Sequence, residues 1–113
     1  MANSFVNKKA DLTSTSATTL YTVPDAATAI IKSILVSEDS GNADTITVTI
    51  TDTSDDVFSL FKTKAISANA TTELLTAPLV LQQKEVLKVT AATANRLHVV
   101  LSALESKPRE VIT

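Results

Sequence analysis

His98 is the only histidine in this chain of 113 residues, which has no cysteine and no tryptophan. A general base needs a nucleophile or an orienting acid converging on it. His98 lies between Leu97 and Val99, on the strand face that also carries Val100, and no spacing in the sequence brings such a partner to it. It reads as a surface or interface histidine. Without cysteine there is no thiolate nucleophile, no disulfide and no Cys-ligated metal, and one histidine cannot build the multi-histidine sites typical of zinc or non-haem iron. Carboxylates gather at Asp52, Asp55 and Asp56, with Glu38, Asp39 and Asp44 in a loop that looks adjacent. Oxygen-rich loops of this sort can hold Ca²⁺. The segment lacks the central Gly and distal Glu of an EF-hand loop, however, and Asp and Ser are ordinary hairpin-turn residues that bond their own backbone, so it reads as a turn. The 18 Thr and 11 Ser decorate strand faces throughout and define no triad. Asn69-Ala70-Thr71 fits the N-glycosylation pattern but reads as inert, because no secretory signal is expected. A carbohydrate platform would need stacked aromatics. Only Phe5, Tyr21, Phe58 and Phe61 are present, and at least Phe58 or Phe61 is expected in the core. No catalytic residue, metal or cofactor is expected.

Composition narrows the remaining classes. Ten Lys+Arg against twelve Asp+Glu give a net charge of −2, which offers no broad attraction for a phosphate backbone or an anionic lipid surface. Neither nucleic acid nor membrane is an expected partner. The 44% of apolar residues are spread along the chain, with no unbroken run near the roughly 18 residues of a spanning helix, which predicts a soluble protein. The opening, Met1 to Leu12, carries no apolar h-region, so the chain is expected to stay in the cytosol that makes it.

The elements that must position any site are strands. From Thr45 to Asp52 the residues Ile46, Val48 and Ile50 alternate strictly with threonines, the period-2 pattern of a half-buried strand. β-Branched residues fill both faces, stiff at χ1 and suited to a pleat rather than a helix. The same reading predicts strands near Thr19–Val23, Ala29–Ser37, Val57–Lys64, Thr71–Leu75, Val86–Ala91 and Leu97–Leu104. Turn chemistry joins them at Val23–Ala27, Asp39–Asp44, Thr53–Asp56 and Ala92–Asn95. Short links between antiparallel strands in a chain of this length predict an all-β fold, a single antiparallel β-sandwich of seven to eight strands, jelly-roll or immunoglobulin-like. The expected division is an N-terminal arm over residues 1–12, the sandwich over 13–105 and a C-terminal tail over 106–113. Ile46, Val48, Ile50, Leu87, Val89, Leu97, Val99 and Leu101 are the expected core.

Some strands carry more apolar surface than one sandwich buries. Ile30, Ile34 and Val36 are read on one face with Ile31 and Leu35 on the other, and Val100 and Leu104 oppose the inward residues of the last strand. Together with Phe5 and Val6 of the arm, the residues Ile31, Leu35, Val100 and Leu104 are the candidate interface, with another copy of the chain as partner in a homodimer or homotrimer.

The run TTLYTVPDAATAIIKSILVSEDSGNADTITVTITD, followed by LVLQQKEVLKVTAATANRLHVVLSALE, resembles small virion structural proteins of tailed bacteriophages, especially those of marine and cyanobacterial phages. The likeness spans Thr18 to Glu105. In that family an opening strand of the "TTLYTVP" type leads to one of the "AIIKSILVS" type, and a turn of the form apolar-x-Ala-Gly-Asp feeds a "LKVTA" strand. Gln82-Gln83-Lys84-Glu85 stands here in place of the Gly-bearing turn. The resemblance implies a non-enzymatic capsid decoration (cement) protein, which stabilises the particle through oligomeric contacts. Its partners would be the major capsid protein or other virion proteins, and its location the virion, after synthesis in the host cytoplasm. The alternatives are a neck, tail, baseplate or fibre component, or a carbohydrate-binding module.

Overall fold

The threonine ladder forms the strand that its period demands. Ile46, Val48 and Ile50 are buried, while Thr45, Thr47, Thr49 and Thr51 stand half-buried on the opposite face. The computed structural model describes residues 2–107, and among them the only regular elements are nine strands. These are β1 (Ala2–Asp11), β2 (Thr18–Thr22), β3 (Thr28–Glu38), β4 (Asp44–Thr51), β5 (Val57–Ile66), β6 (Thr71–Glu73), β7 (Leu79–Leu81), β8 (Val86–Ala91) and β9 (Leu97–Lys107). One sheet runs β1-β9-β3, with β6 and β7 sharing the place beyond β3. The other runs β2-β8-β4-β5, and every pairing is antiparallel. The fold is therefore all-β and sandwich-like, with the inward faces of the two sheets contributing to one apolar core.

All of the expected core residues, Ile46, Val48, Ile50, Leu87, Val89, Leu97, Val99 and Leu101, are buried. The strand count differs from the expected seven to eight because two strands carry weak apolar signals. β1 is largely exposed, and β7 is three residues long. Residues 2–11, set apart above as an arm, form the edge strand β1. They pair with β9 of the same chain from Ala2↔Lys107 to Asp11↔His98. Of the expected tail, Ser106 and Lys107 end β9, and the rest lies outside the described residues.

β3 does not alternate as read. Its register against β9 shifts between Ile31 and Ser33, a bulge that inserts one residue and reverses the phase of everything after it. Ala29 and Ile31 face inward before the bulge, and Ile34, Val36 and Glu38 face inward after it. Ile31 is 0% exposed, so the interface reading of this residue is corrected: it is core. Ile30, placed above with Ile34 and Val36, stands half-buried, out of phase with them. The bulge leaves backbone groups out of step with the ladder, and a carboxylate takes them up. Glu73, at the end of β6, accepts from the Ile34 amide at 2.8 Å, from the Leu75 amide at 3.3 Å and from the Ser33 hydroxyl. Partial burial opposes ionisation of Glu73, but these bonds outweigh it and hold its pKa below the ordinary carboxylate value.

One polar link crosses the core. The Tyr21 hydroxyl on β2 donates to Glu105 Oε2 on β9 at 2.5 Å, tying the two sheets together. Burial, then the hydrogen bond and charge of Glu105, push the Tyr21 phenol well above its ordinary pKa.

Two substitutions probe this arrangement. Val48→Asp buries an unpaired carboxylate, which costs several kcal/mol, on the scale of a small domain's whole stability. Thermal melts should show no cooperative transition. Glu73→Ala frees the Ile34 amide and should lower the unfolding free energy by about 1–3 kcal/mol in urea titrations, with the all-β circular dichroism spectrum retained.

Candidate functional site

The outer face of the β1-β9-β3 sheet is ordered into rows by strand register. Phe5 on β1 lies opposite Leu104 on β9, Leu104 lies opposite Ile30 on β3, and Ile30 lies opposite Val80 on β7. Residues directly opposite in antiparallel strands share a face. These four side chains therefore make one apolar stripe across four strands, about 15 Å long at the usual strand spacing. Phe5 is 87% exposed and Val80 53%, with Ile30 and Leu104 half-buried between them. A parallel row sets Lys9, Val100, Leu35 and Glu73 side by side, with Leu35 38% exposed. Ser102 and Ser33 stand between the rows.

At the far end of the same face Asp11, His98 and Ser37 form a polar row. His98 Nε2 lies 3.2 Å from Asp11 Oδ1, and Nδ1 lies 3.5 Å from Asp39 Oδ2. Each ring nitrogen thus faces a carboxylate, and neither is directed at a hydroxyl nucleophile. The arrangement ties β1, β9 and the β3–β4 loop together.

Of the six interface candidates, the structure brings Phe5, Leu35, Val100 and Leu104 onto this one face. Val6 is in the alternate phase. It lies opposite Ala103 and packs against the core, so it too leaves the interface set. Ile31 leaves it because of the β3 bulge. Ile30 and Val80 were missed. The first was hidden by the phase reversal, and the second lies in a three-residue strand. The signal available for Val80 was Leu79-Val80-Leu81 itself, a short continuous apolar run after Pro78.

The carboxylates scatter. Asp44 opens β4 and Asp52 follows its end, so roughly 25 Å of strand separates the two acidic groups. Asp52 Oδ1 accepts from the Ser54 and Asp56 amides at 2.9 and 3.0 Å, the self-bonded turn that its residue types suggest. Asp44, buried, accepts from the Thr93 amide at 3.1 Å. Among the described residues no three acidic or histidine side chains stand together in a way that would hold a metal ion. Glu38, also buried, is a hub: its carboxylate accepts from the Ser40, Gly41 and Asn69 amides and from the Ser40 hydroxyl. Asn69 of the glycosylation triplet sits in this turn at φ 56°, its amide committed to Glu38. Phe61 packs on the core while Phe58 is exposed, so the aromatics form no platform.

Comparison of the chain with known protein families, with curated proteins and with solved structures found no match.

Burial opposes ionisation of Glu38, but its four hydrogen bonds outweigh that and bring its pKa down from 4.5 to about 2. Between these values the unfolded chain binds a proton that the folded one refuses, so stability rises with pH there. The Glu38 contribution should be complete above about pH 4.5 and lost as the pH falls toward 2. Urea midpoints should decline across this window, and Glu38→Gln should flatten the decline, leaving a smaller slope from Glu73.

Proposed function

We propose that this chain is a non-enzymatic structural protein of a bacteriophage virion. In this reading it is a capsid decoration protein that sits on the major capsid protein as a homodimer or homotrimer and stabilises the particle by adhesion. The observation that carries the reading is the Phe5–Leu104–Ile30–Val80 stripe. Contiguous exposed apolar surface with a polar border marks a contact site on an otherwise polar molecule. Here the stripe is bordered by serines and, further along the sheet, by Lys9, Glu73 and the His98 row. Adhesion of this kind needs no converging nucleophile, base or cofactor, and attachment through apolar surface should depend little on salt.

Two further features support the same reading. The strand order β1-β9-β3-β6/β7 facing β2-β8-β4-β5 supports a jelly-roll reading, with β6 and β7 sharing one strand place, over an immunoglobulin-like one. Jelly-rolls are frequent in viral capsid proteins, although the architecture alone fixes no activity. The second feature concerns the one departure from the phage pattern. Lys84 holds φ 66°, the left-handed conformation that glycine adopts without strain, at the position where the family turn has its Gly. The turn geometry is thus the one a Gly-bearing turn would supply, and the Lys84 and Glu85 amides still bond Val23 and Gln82 carbonyls.

The test is the stoichiometry of the protein against the major capsid protein in purified particles, measured by quantitative mass spectrometry. Hundreds of copies are expected. A few tens would move the protein to the neck or tail, and absence from particles would end the virion reading. Phe5→Asp should lower occupancy on particles without changing the melting temperature, because Phe5 contributes almost no buried area. Lys84→Gly should raise stability by about 1 kcal/mol through relief of the left-handed strain. Its exposed contact with Asp25, at 4.0 Å, is too weak to offset that gain.

A further inference from the structure

β5 is the outermost strand of the β2-β8-β4-β5 sheet, pairing with β4 on one side only. An edge with free backbone donors and acceptors is a template for another strand, and native chains usually blunt such edges with charge or short length. β5 runs for ten residues, and its first half, Val57-Phe58-Ser59-Leu60, is exposed throughout, Phe58 to 55%. Phe58 lies opposite Ile50, on the core side of the sheet, yet remains largely uncovered. Further along the strand an apolar groove of about 290 Å³ opens between β5 and the β6–β7 connection, lined by Leu60, Phe61, Leu74, Leu75, Pro78 and Leu79.

Charge is distributed along this edge with opposite signs at its two ends. The turn entering β5 carries Asp55 and Asp56, and its second half carries Lys62 and Lys64, all of them exposed. Among the described residues none of these four has an ion-pair partner. A second β5 laid parallel would set acid beside acid and lysine beside lysine. Laid antiparallel, it sets the lysines of each copy beside the aspartates of the other. From this we infer that β5 is the site of a two-fold homodimer in which the β5 edges of two copies pair antiparallel about an axis near Ser59, with Phe58 and Leu60 of each strand covering those of its partner.

A two-fold contact of this kind uses the same surface on both molecules and closes on itself, so it stops at two copies. Two bulges in β5, where its register against β4 shifts near Leu60 and again near Thr63, bend the strand and oppose open-ended stacking beyond the two-fold pair. The acidic and basic ends set direction and register, and the apolar residues between them supply the buried area. This inference rests on the homo-oligomer part of the proposed function and not on its virion part, and it places the self-contact away from the Phe5 face.

Sedimentation equilibrium of the full chain at low and moderate salt tests it, with a charge-swap set. The wild-type chain should be a dimer that weakens as salt rises. Lys62→Glu and Asp56→Lys, each on an exposed side chain, should each weaken the dimer at least roughly tenfold by setting like charges together. The double variant should regain it, with melting temperatures confirming that all three proteins are folded. A dimer insensitive to these changes but lost in Phe5→Asp would overturn the β5 assignment and leave the homo-oligomer reading standing. A monomer at every concentration would overturn both.

Discussion

The two central strands of one sheet, β3 and β9, must keep their apolar side chains facing the same core over eleven residues each, and the rest of the molecule is arranged around that constraint. β9 meets it by strict alternation from Leu97 to Glu105. β3 cannot, because Ile30-Ile31-Lys32-Ser33-Ile34 places its apolar residues out of step for a single phase. An inserted residue at the bulge restores the phase, and Glu73 absorbs the backbone groups that the insertion displaces. Without that carboxylate, an amide beside the core would lack a partner at a cost comparable with one or two good packing contacts.

The neighbouring edge is broken as well. β9 follows β3 across the bulge as one strand, but the place on the other side of β3 is filled in two pieces. β6 pairs with Leu35–Ser37 and β7 with Ala29–Ile31. The connection between them, residues 74–78, is irregular. This broken edge lies across from β5, and the groove between them is lined by Leu60 and Phe61 on one side and by Leu74, Leu75 and Leu79 on the other. The Glu73 clamp and the open flank of the sandwich thus lie on the same broken edge.

The legible parts of the sequence were those where period and burial agree. β4, β8 and β9 alternate without interruption, and their inward residues were identified from pattern alone. The bulge left no such mark. Glycine or proline often signals one, but Ala29 to Ser37 contains neither, and a strand apolar on both sides looks the same whether or not its phase reverses midway. Ile31 was assigned outward for that reason. β1 was hidden by the opposite problem. Its outward residues are mostly polar, its inward side offers only Val6 and Ala10 to the core, and it is held chiefly by backbone pairing with β9, which composition does not reveal. The turn at Asp52 was legible, but the apparent adjacency of the two acidic groups was misleading, because proximity in sequence does not place side chains at the same end of a strand. Glu38 and Asp44 became separate internal anchors of loops, and Asp52 caps its own turn.

What distinguishes the two exposed apolar regions is the origin of their exposure. The Phe5–Leu104–Ile30–Val80 stripe lies on the outer face of its sheet, with its two ends, Phe5 and Val80, the most exposed. The core gains almost nothing from a phenylalanine that is 87% exposed. The apolar half of β5 is different, since part of it faces the core and is left uncovered by the geometry of the opposite sheet. A fold that exposes such a strand must either cover it or charge it. β5 does some of each, with lysines at one end and aspartates at the other. Opposite charges at the two ends repel a parallel copy and attract an antiparallel one, so the same residues that guard the edge against indiscriminate pairing also select the one pairing they permit.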